Sequence, residues 1–153
     1  MQILDILKPE AVKNLTSCTS KKRLFHDLGD IADAAYGFAP DGVINALMER
    51  ENLGPTGVGH GIALPHARLS DIENVHGMFL RLEKPLDFDA VDRQPVDLVF
   101  ALLAPENAGV EHLKALALIS RTMRDADMRA KLRANADIGT LHTILTASQA
   151  QAA

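Results

Sequence analysis

Apolar residues recur with helical spacing near the start of the chain. Between residues 20 and 37 they are Leu24, Phe25, Leu28, Ile31, Ala32 and Ala35. Steps of three and four residues are typical of a helix with one buried face. Ser20 is suited to cap the first turn and Gly37 to end the helix. A second helix is predicted from Pro40 to about Arg50, with Val43, Ile44 and Leu47 on its buried side.

Two segments rich in apolar residues follow and predict β-strands. They span residues 76–83 (HGMFLRLE) and 95–105 (PVDLVFALLAP), and residues 84–94 between them are polar and rich in turn formers. The second run has almost no polar positions, which favours a strand that is buried on both faces. A shorter apolar run, residues 62–64, ends at Pro65. Before it, the glycines at positions 54, 57, 59 and 61 indicate a loop.

The last third of the chain is helical in pattern. One helix is predicted from about Val110, with Leu113, Leu116, Ala117 and Ser120 on its buried stripe. Two shorter helices are predicted over residues 128–135 and 137–149, the second capped by Asp137, and residues 148–153 are expected to fray. Three or four strands and about five helices predict an α/β fold. We expect a single domain over residues 1–153, with a core of about 3–147 and a mixed β-sheet flanked by helices on both sides.

Composition and charge narrow the function classes. The 153 residues are 47% hydrophobic and 24% charged, with a net charge of -4, and no basic stripe suggests nucleic-acid binding. The basic run at residues 21–23 is short and is interpreted as a solvated first helical turn. The single cysteine, Cys18, excludes an internal disulfide framework and is expected to be half-buried on a strand. No apolar run has membrane-spanning length and residues 1–10 do not resemble a signal peptide, so we expect a cytoplasmic protein without membrane insertion.

The segment TGVGHG, residues 56–61, allows two interpretations. Its glycines permit tight turns, and they also permit close approach of backbone N–H groups to an anion. The segment lacks the lysine that ends a P-loop. It also precedes a strand, whereas a dinucleotide fingerprint opens a helix. Phosphate binding is therefore one possibility from spacing alone.

His66 directly follows Pro65 at the end of the short apolar run. Its side chain could be a nucleophile, a metal ligand or a polar group that closes a turn. Because an unperturbed imidazole has a pKa of about 6.5, it is largely neutral and nucleophilic at physiological pH. This property suits acceptance of a phosphoryl group, which needs positioning and charge compensation more than acid-base chemistry.

Two further residues could assist at such a site. His112 follows the predicted central strand and could donate a hydrogen bond to a phosphoryl oxygen, or be an exposed histidine at a helix start. Arg50 could hold phosphoryl oxygens with its planar fork, or simply stabilise a helix C-terminus. A zinc site built from His60, His66 and His112 is the competing interpretation. There is no HExxH motif, cysteine pair or suitably spaced carboxylate, so we expect no metal.

The segment GVGHGIALPHA, residues 57–67, resembles the active-site signature of a known family. This is the fructose- and mannitol-type (type 2) enzyme IIA domain of the bacterial phosphoenolpyruvate-dependent phosphotransferase system. LMERENLGPTG, FDAVDRQPVDLVFALLAP and EHLKALALIS resemble the same family, so that the similarity covers roughly residues 3–147. The chain is most similar to the stand-alone, nitrogen-regulatory branch of the family.

The resemblance implies particular roles for the candidate residues. His66 would accept the phosphoryl group, Arg50 and His112 would assist, and Thr56, Gly57, Gly59 and His60 would form a phosphoryl-binding loop. The family usually has asparagine where this chain has His60, which leaves the role of that position open.

The resemblance also implies partners and no cofactor. The donor would be a phosphohistidine on a small histidine phosphocarrier protein of the HPr or NPr kind. The regulated targets would be proteins such as potassium transporters or sensor kinases. Two alternatives remain from the sequence: an enzyme IIA component of a fructose- or mannitol-type sugar transporter, and an interaction module that is never phosphorylated.

Overall fold

A computed structural model describes the backbone of residues 1–152 and the side chains of residues 1–147. The helices are α1 (Ile3–Ile6), α2 (Lys21–Tyr36), α3 (Pro40–Leu53), α4 (Val110–Arg124), α5 (Ala126–Arg133) and α6 (Ile138–Ala152), with a 3₁₀ turn at Pro9–Ala11. The strands are β1 (Val12–Leu15), β2 (Gly57–Gly59), β3 (Ile62–Ala63), β4 (His66–Leu69), β5 (His76–Leu86) and β6 (Val96–Pro105). The predicted frayed tail, 148–153, lies outside the residues whose side chains are described.

The six strands form one mixed sheet around β6. Its order is β1-β5-β6-β3-β2, and β4 also pairs with β6. β5 is antiparallel to β6, whereas β3 and β4 are both parallel to it and follow one another along the same edge. In this register Ile62 lies opposite Leu98 and His66 lies opposite Leu102. The predicted mixed sheet is confirmed.

Strand β6 forms the centre of the core. All its residues are buried except Asp97 and Pro105, which are partly exposed, as its uninterrupted apolar sequence predicts. Helix α2 packs against β5 and α3, α4 packs against β6 and α5, and α6 packs against β1 and α5. The α/β fold with helices on both sides of the sheet is therefore confirmed. In the described part of the chain no helix is both long and apolar enough to cross a membrane.

The helix ends follow the local sequence closely. The Ser20 hydroxyl accepts a hydrogen bond from the Arg23 N–H at 3.0 Å, and the backbone turns left-handed at Gly37. Asp137 accepts from the Thr140 N–H at 2.9 Å and caps α6. Helix α3 continues three residues beyond the predicted end at Arg50, as far as Leu53.

Three short strands were not predicted. β1, β2 and β4 contain three or four residues each, and β2 lies where the glycines indicated only loop. Cys18 was also placed wrongly, because it is buried in the connection between β1 and α2 and not on a strand. Such short segments have no periodicity of their own. They become strands because a neighbouring strand satisfies their backbone hydrogen bonds.

The predicted buried stripe of α4 was wrong by a rotation of the helix. Leu113 is 65% exposed and Ala117 is also exposed. The buried residues are His112, Ala115, Leu118, Ile119, Thr122 and Met123. Both sets have helical spacing, and they differ by about one residue, or roughly 100° around the axis. Packing of the helix on β6 selects the set that contains His112.

Candidate functional site

His66 is the first residue of β4 and directly follows Pro65. Its ring Nδ1 lies 2.9 Å from the carbonyl oxygen of Leu64. A carbonyl oxygen can only accept, so Nδ1 carries the proton and donates it to this bond. The other ring nitrogen, Nε2, is consequently left with its lone pair. In this tautomer, a nucleophilic nitrogen is held in a defined orientation.

The surroundings of His66 lower its pKa. Burial makes the largest contribution, because it disfavours the charged imidazolium, and the nearby Arg50 guanidinium acts in the same direction. The Leu64 carbonyl and the Glu51 carboxylate oppose these effects without cancelling them. His66 therefore remains neutral at physiological pH, the protonation state that a nucleophile requires.

His112 lies in the first turn of α4 beside His66. The two ring centroids are 5.7 Å apart, at an interplanar angle of 71°. Only 6% of His112 is exposed, so the alternative of an exposed histidine at a helix start is wrong. Neither ring nitrogen has a hydrogen-bond partner within the described residues. Leaving a buried polar group unpaired costs about 1–3 kcal/mol, a penalty that a ligand oxygen at this position would relieve.

Two arginines lie close enough to affect the histidine pair. The Nη1 atom of Arg50 donates to the Gly54 carbonyl at 3.1 Å, at the C-terminal end of α3. Arg68 lies two residues after His66 on β4 and therefore on the same face of the strand, and its Nη1 donates to the Glu106 carbonyl at 2.9 Å. Burial makes the largest contribution to the lowered pKa of His112, and the neighbouring His66 and Arg68 lower it further. Sequence reasoning missed Arg68 because it did not predict β4.

Thr56 is buried and its hydroxyl is already engaged. Its Oγ1 donates to Glu51 Oε1 at 2.6 Å, and its backbone N–H donates to Glu51 Oε2 at 2.9 Å. Lys21 Nζ lies 2.7 Å from the same carboxylate. Glu51 was not among the predicted residues. An acidic residue in the last turn of a helix, opposed by the helix dipole, is the signal that could have identified it.

The remaining loop residues form a β-hairpin. Gly57 and Gly59 are the two ends of β2, and His60 begins the turn into β3 with a φ of 58°. The His60 N–H donates to Asp92 Oδ2 at 3.2 Å, and the His60 carbonyl accepts from Arg133. The His60 ring is exposed, and among the described residues neither a hydrogen bond nor a ring contact joins it to His66.

The structure thus brings some of the predicted residues together and separates others. His66 and His112 are in ring contact, and Arg50 acts on His66 electrostatically. The three histidines of the zinc alternative do not form a cluster. Within the described residues there is no group of three or more His, Cys, Asp or Glu side chains that could hold a metal ion.

Comparison with known protein families agrees with this geometry. The family model for the "phosphoenolpyruvate-dependent sugar phosphotransferase system, EIIA 2" matches residues 5–148. The chain belongs to this family. Membership makes the EIIA 2 chain a component of a phosphotransferase system, as the resemblance in the sequence implied.

Several relatives that match this chain over most of its length are named nitrogen regulatory proteins. A nitrogen regulatory protein from Bradyrhizobium diazoefficiens is 45% identical over 153 residues, the whole of both chains. A nitrogen regulatory protein from Escherichia coli is 37% identical over 147 residues, which cover 95% of this chain and 90% of the other. Among solved structures, the nitrogen regulatory protein IIA-Ntr of Neisseria meningitidis superimposes with a TM-score of 0.85 at 36% identity, covering 93% of this chain and 97% of that one.

A more distant structure shows the same fold. The mannitol IIA protein of Escherichia coli has a TM-score of 0.76 at 19% identity, and the match covers 90% of this chain and 97% of that one. The mixed sheet with its helices is therefore common to both, at an identity that supports no conclusion about function.

Proposed function

We propose that this chain is a phosphocarrier and regulatory enzyme IIA of the nitrogen phosphotransferase system, with His66 as the phosphoryl acceptor. One observation carries the proposal. In a member of the EIIA 2 family, the Leu64 carbonyl holds His66 Nδ1 at 2.9 Å. The ring of His112 lies beside it, and its nitrogens make no hydrogen bond to any described residue. The names of the full-length relatives support the nitrogen branch.

The transfer step follows from this geometry. The Nε2 lone pair of His66 attacks the phosphorus of a phosphohistidine on a donor protein and forms a new N–P bond. The N–P bond of the donor breaks at the same time, and its electron pair returns to the donor imidazole, which leaves as a neutral ring because its other nitrogen carries a proton. His66 keeps its Nδ1–H bond to Leu64 throughout. No metal or nucleotide is required, because the donor is already a reactive N–P species.

The surrounding residues supply charge compensation. Arg50 is a cation within electrostatic reach of His66. The ring nitrogens of His112 have no hydrogen-bond partner in the described part of the chain, and one of them can donate to a phosphoryl oxygen. Of the predicted loop residues Thr56, Gly57, Gly59 and His60, the two glycines would approach the group through their backbone N–H groups. The N–H groups of Thr56 and His60 already donate to Glu51 and Asp92. The engaged Thr56 hydroxyl gives that residue an indirect part in binding.

The proposed partners are proteins. A histidine phosphocarrier of the HPr or NPr kind would be the donor, and the regulated targets would be proteins such as potassium transporters or sensor kinases in the cytoplasm. A phosphoryl group adds roughly −1.5 to −2 charges at neutral pH. Such a change at the surface around His66 alters which partner surfaces are electrostatically complementary.

Reconstituted phosphoryl transfer tests the acceptor. The protein is incubated with phosphoenolpyruvate, enzyme I and the phosphocarrier of each branch, and its intact mass is followed. We expect a gain of about 80 Da, one phosphoryl group, with the nitrogen-branch proteins. His66→Ala should gain none, whereas His112→Ala should be labelled about 10²-fold more slowly, because it loses one donor to the transferred group. Normal labelling of His66→Ala would contradict the assignment of the acceptor.

The same experiment separates the alternatives. Transfer from the sugar-branch phosphocarrier and onward to a sugar-specific IIB protein would favour a transport role, which the family description allows. A wild-type protein that no donor phosphorylates would instead favour an interaction module that signals through surface contacts alone.

A further inference from the structure

Glu51 is a buried carboxylate at a position that does not stabilise its own helix. It lies in the last turn of α3, is 8% exposed, and faces the negative end of the helix dipole. A buried charge persists only where partners compensate it. Here the partners are Lys21 Nζ at 2.7 Å, the Thr56 N–H at 2.9 Å and the Thr56 hydroxyl at 2.6 Å.

A continuous series of hydrogen bonds leads from Glu51 to His66. Glu51 binds the N–H and the hydroxyl of Thr56. The carbonyl oxygen of Thr56 in turn accepts a hydrogen bond from the Leu64 N–H at 3.0 Å. The Leu64 carbonyl then accepts from His66 Nδ1 at 2.9 Å. Thr56 and Leu64 each make one hydrogen bond through the N–H and another through the carbonyl. Each bond in the series therefore fixes the position of the residue that makes the next one.

We propose that Glu51 is a positioning residue for phosphoryl transfer. It holds Thr56, through Thr56 it holds the Leu64 peptide, and the Leu64 carbonyl sets the orientation and tautomer of the His66 ring. Its catalytic consequence rests on the proposed function. In this arrangement Thr56 serves the site through Glu51, and its hydroxyl is not a direct ligand of the phosphoryl group.

The expected effect is large because both geometry and tautomer are involved. A misplacement of about 1 Å at a reacting atom can reduce a rate roughly 10²-fold. A ring that turns away from Leu64 can also move its proton to Nε2, which removes the lone pair that attacks phosphorus.

The test measures the His66 tautomer directly. The imidazole ¹⁵N shifts of His66 are recorded at pH 7.5 in the full-length protein, together with the rate of phosphoryl uptake. Glu51→Leu removes both acceptor oxygens, and we expect a mixture of tautomers with uptake reduced about 10- to 100-fold. Glu51→Gln keeps a carbonyl oxygen for the Thr56 N–H and should restore most of the Nδ1–H form.

Thr56→Val tests the same series of bonds at its next link. It removes the hydroxyl but keeps the backbone N–H, so we expect a smaller effect than that of Glu51→Leu. Because both residues act through one series, the double variant should be no worse than Glu51→Leu alone. Arg81→Met is the control. It removes side-chain bonds to Asn14 and to the carbonyls of Leu132 and Arg133, and should destabilise the fold without changing the His66 tautomer.

An unchanged Nδ1–H tautomer in folded Glu51→Leu overturns the proposal, whatever the uptake rate. If Glu51→Leu does not fold, an unchanged Nδ1–H tautomer in folded Thr56→Val, which loses the hydroxyl bond to Glu51, overturns it instead. A wild-type protein that accepts no phosphoryl group contradicts the proposed function. The comparison of tautomers still decides the role of Glu51 in that case.

Discussion

The reactivity proposed for His66 depends on three neighbours from different parts of the chain, which are Leu64, Arg50 and His112. The Leu64 carbonyl selects the tautomer, while burial and the Arg50 guanidinium keep the ring neutral. His112 adds a buried ring whose nitrogens are unpaired within the described residues. The identity of His66 alone implies none of these properties, since an unperturbed histidine titrates at about 6.5 and either ring nitrogen can carry the proton of its neutral form.

Removal of the Arg50 charge should raise the pKa of His66. The cation disfavours the imidazolium, so in Arg50→Met the NMR titration midpoint of His66 is expected to move upward, towards 6.5. Phosphoryl uptake by the wild type should fall as the pH drops through the lowered pKa, since only the neutral ring attacks phosphorus. Arg23→Met, an exposed cation on α2 paired with Asp27, is the matched control. Equal midpoints in the Arg50 and Arg23 variants would contradict the electrostatic role of Arg50.

At the scale of elements, two parallel strands in series position His66. β3 and β4 lie along the same edge of β6, and the Pro65 carbonyl between them accepts from the Leu102 N–H at 2.9 Å. The hairpin before them is fixed at Gly61, whose carbonyl accepts from the N–H groups of Asp97 and Leu98. The start of β4 is consequently tied to the most deeply buried strand.

Gly61 and Gly37 allow a matched test of this hairpin. Their φ angles are 77° and 75°, so alanine is conformationally strained by roughly 1–2 kcal/mol at either position. At Gly37 an added Cβ meets nothing within 4 Å, whereas at Gly61 it would lie 2.7 Å from Asp97 Oδ1 and against Arg133. Urea unfolding should therefore show a loss of about 1 kcal/mol for Gly37→Ala and at least about 1 kcal/mol more for Gly61→Ala. Equal losses of stability in the two variants would mean that the ion pair of Asp97 and Arg133 moves away from the added methyl group without cost.

At the scale of the whole molecule, burial lowers the pKa of three histidines: His66, His76 and His112. His66 and His112 share one site, whereas His76 lies in another. His76 lies 4.5 Å from the Tyr36 ring and 5.1 Å from the Phe38 ring, at the opposite side of β6 from His66. The folded state therefore binds fewer protons than the unfolded chain just below neutral pH.

Stability should fall with acidification through this range. Because the folded pKa values lie below the unfolded value of about 6.5, the free energy of unfolding rises with pH across the window between them. We expect lower stability at pH 5.5 than at pH 7.5 by urea unfolding, and a smaller difference in His76→Gln. His26→Gln, on the exposed face of α2, corrects for the loss of a histidine as such. Stability that is independent of pH in the wild type would contradict this account.

Local pattern was sufficient to predict much of this protein. Periodicity and capping residues predicted α2, α3 and α6, the apolar runs predicted β5 and β6, and the resemblance around His66 indicated the family that the comparison then showed. These signals can be recognised in a single sequence because each depends on residues that are close along the chain.

Other features depended on residues distant in the chain. β1 and β4 are strands only because β5 and β6 pair with them, and the face of α4 that is buried was decided by its packing on β6. The burial of the His112 ring and of the Glu51 carboxylate has the same origin. Burial, hydrogen-bond partners and tautomer depend on residues that only the folded chain brings together. The sequence motif could therefore identify His66, whereas only the tertiary structure decided which of its ring nitrogens is free.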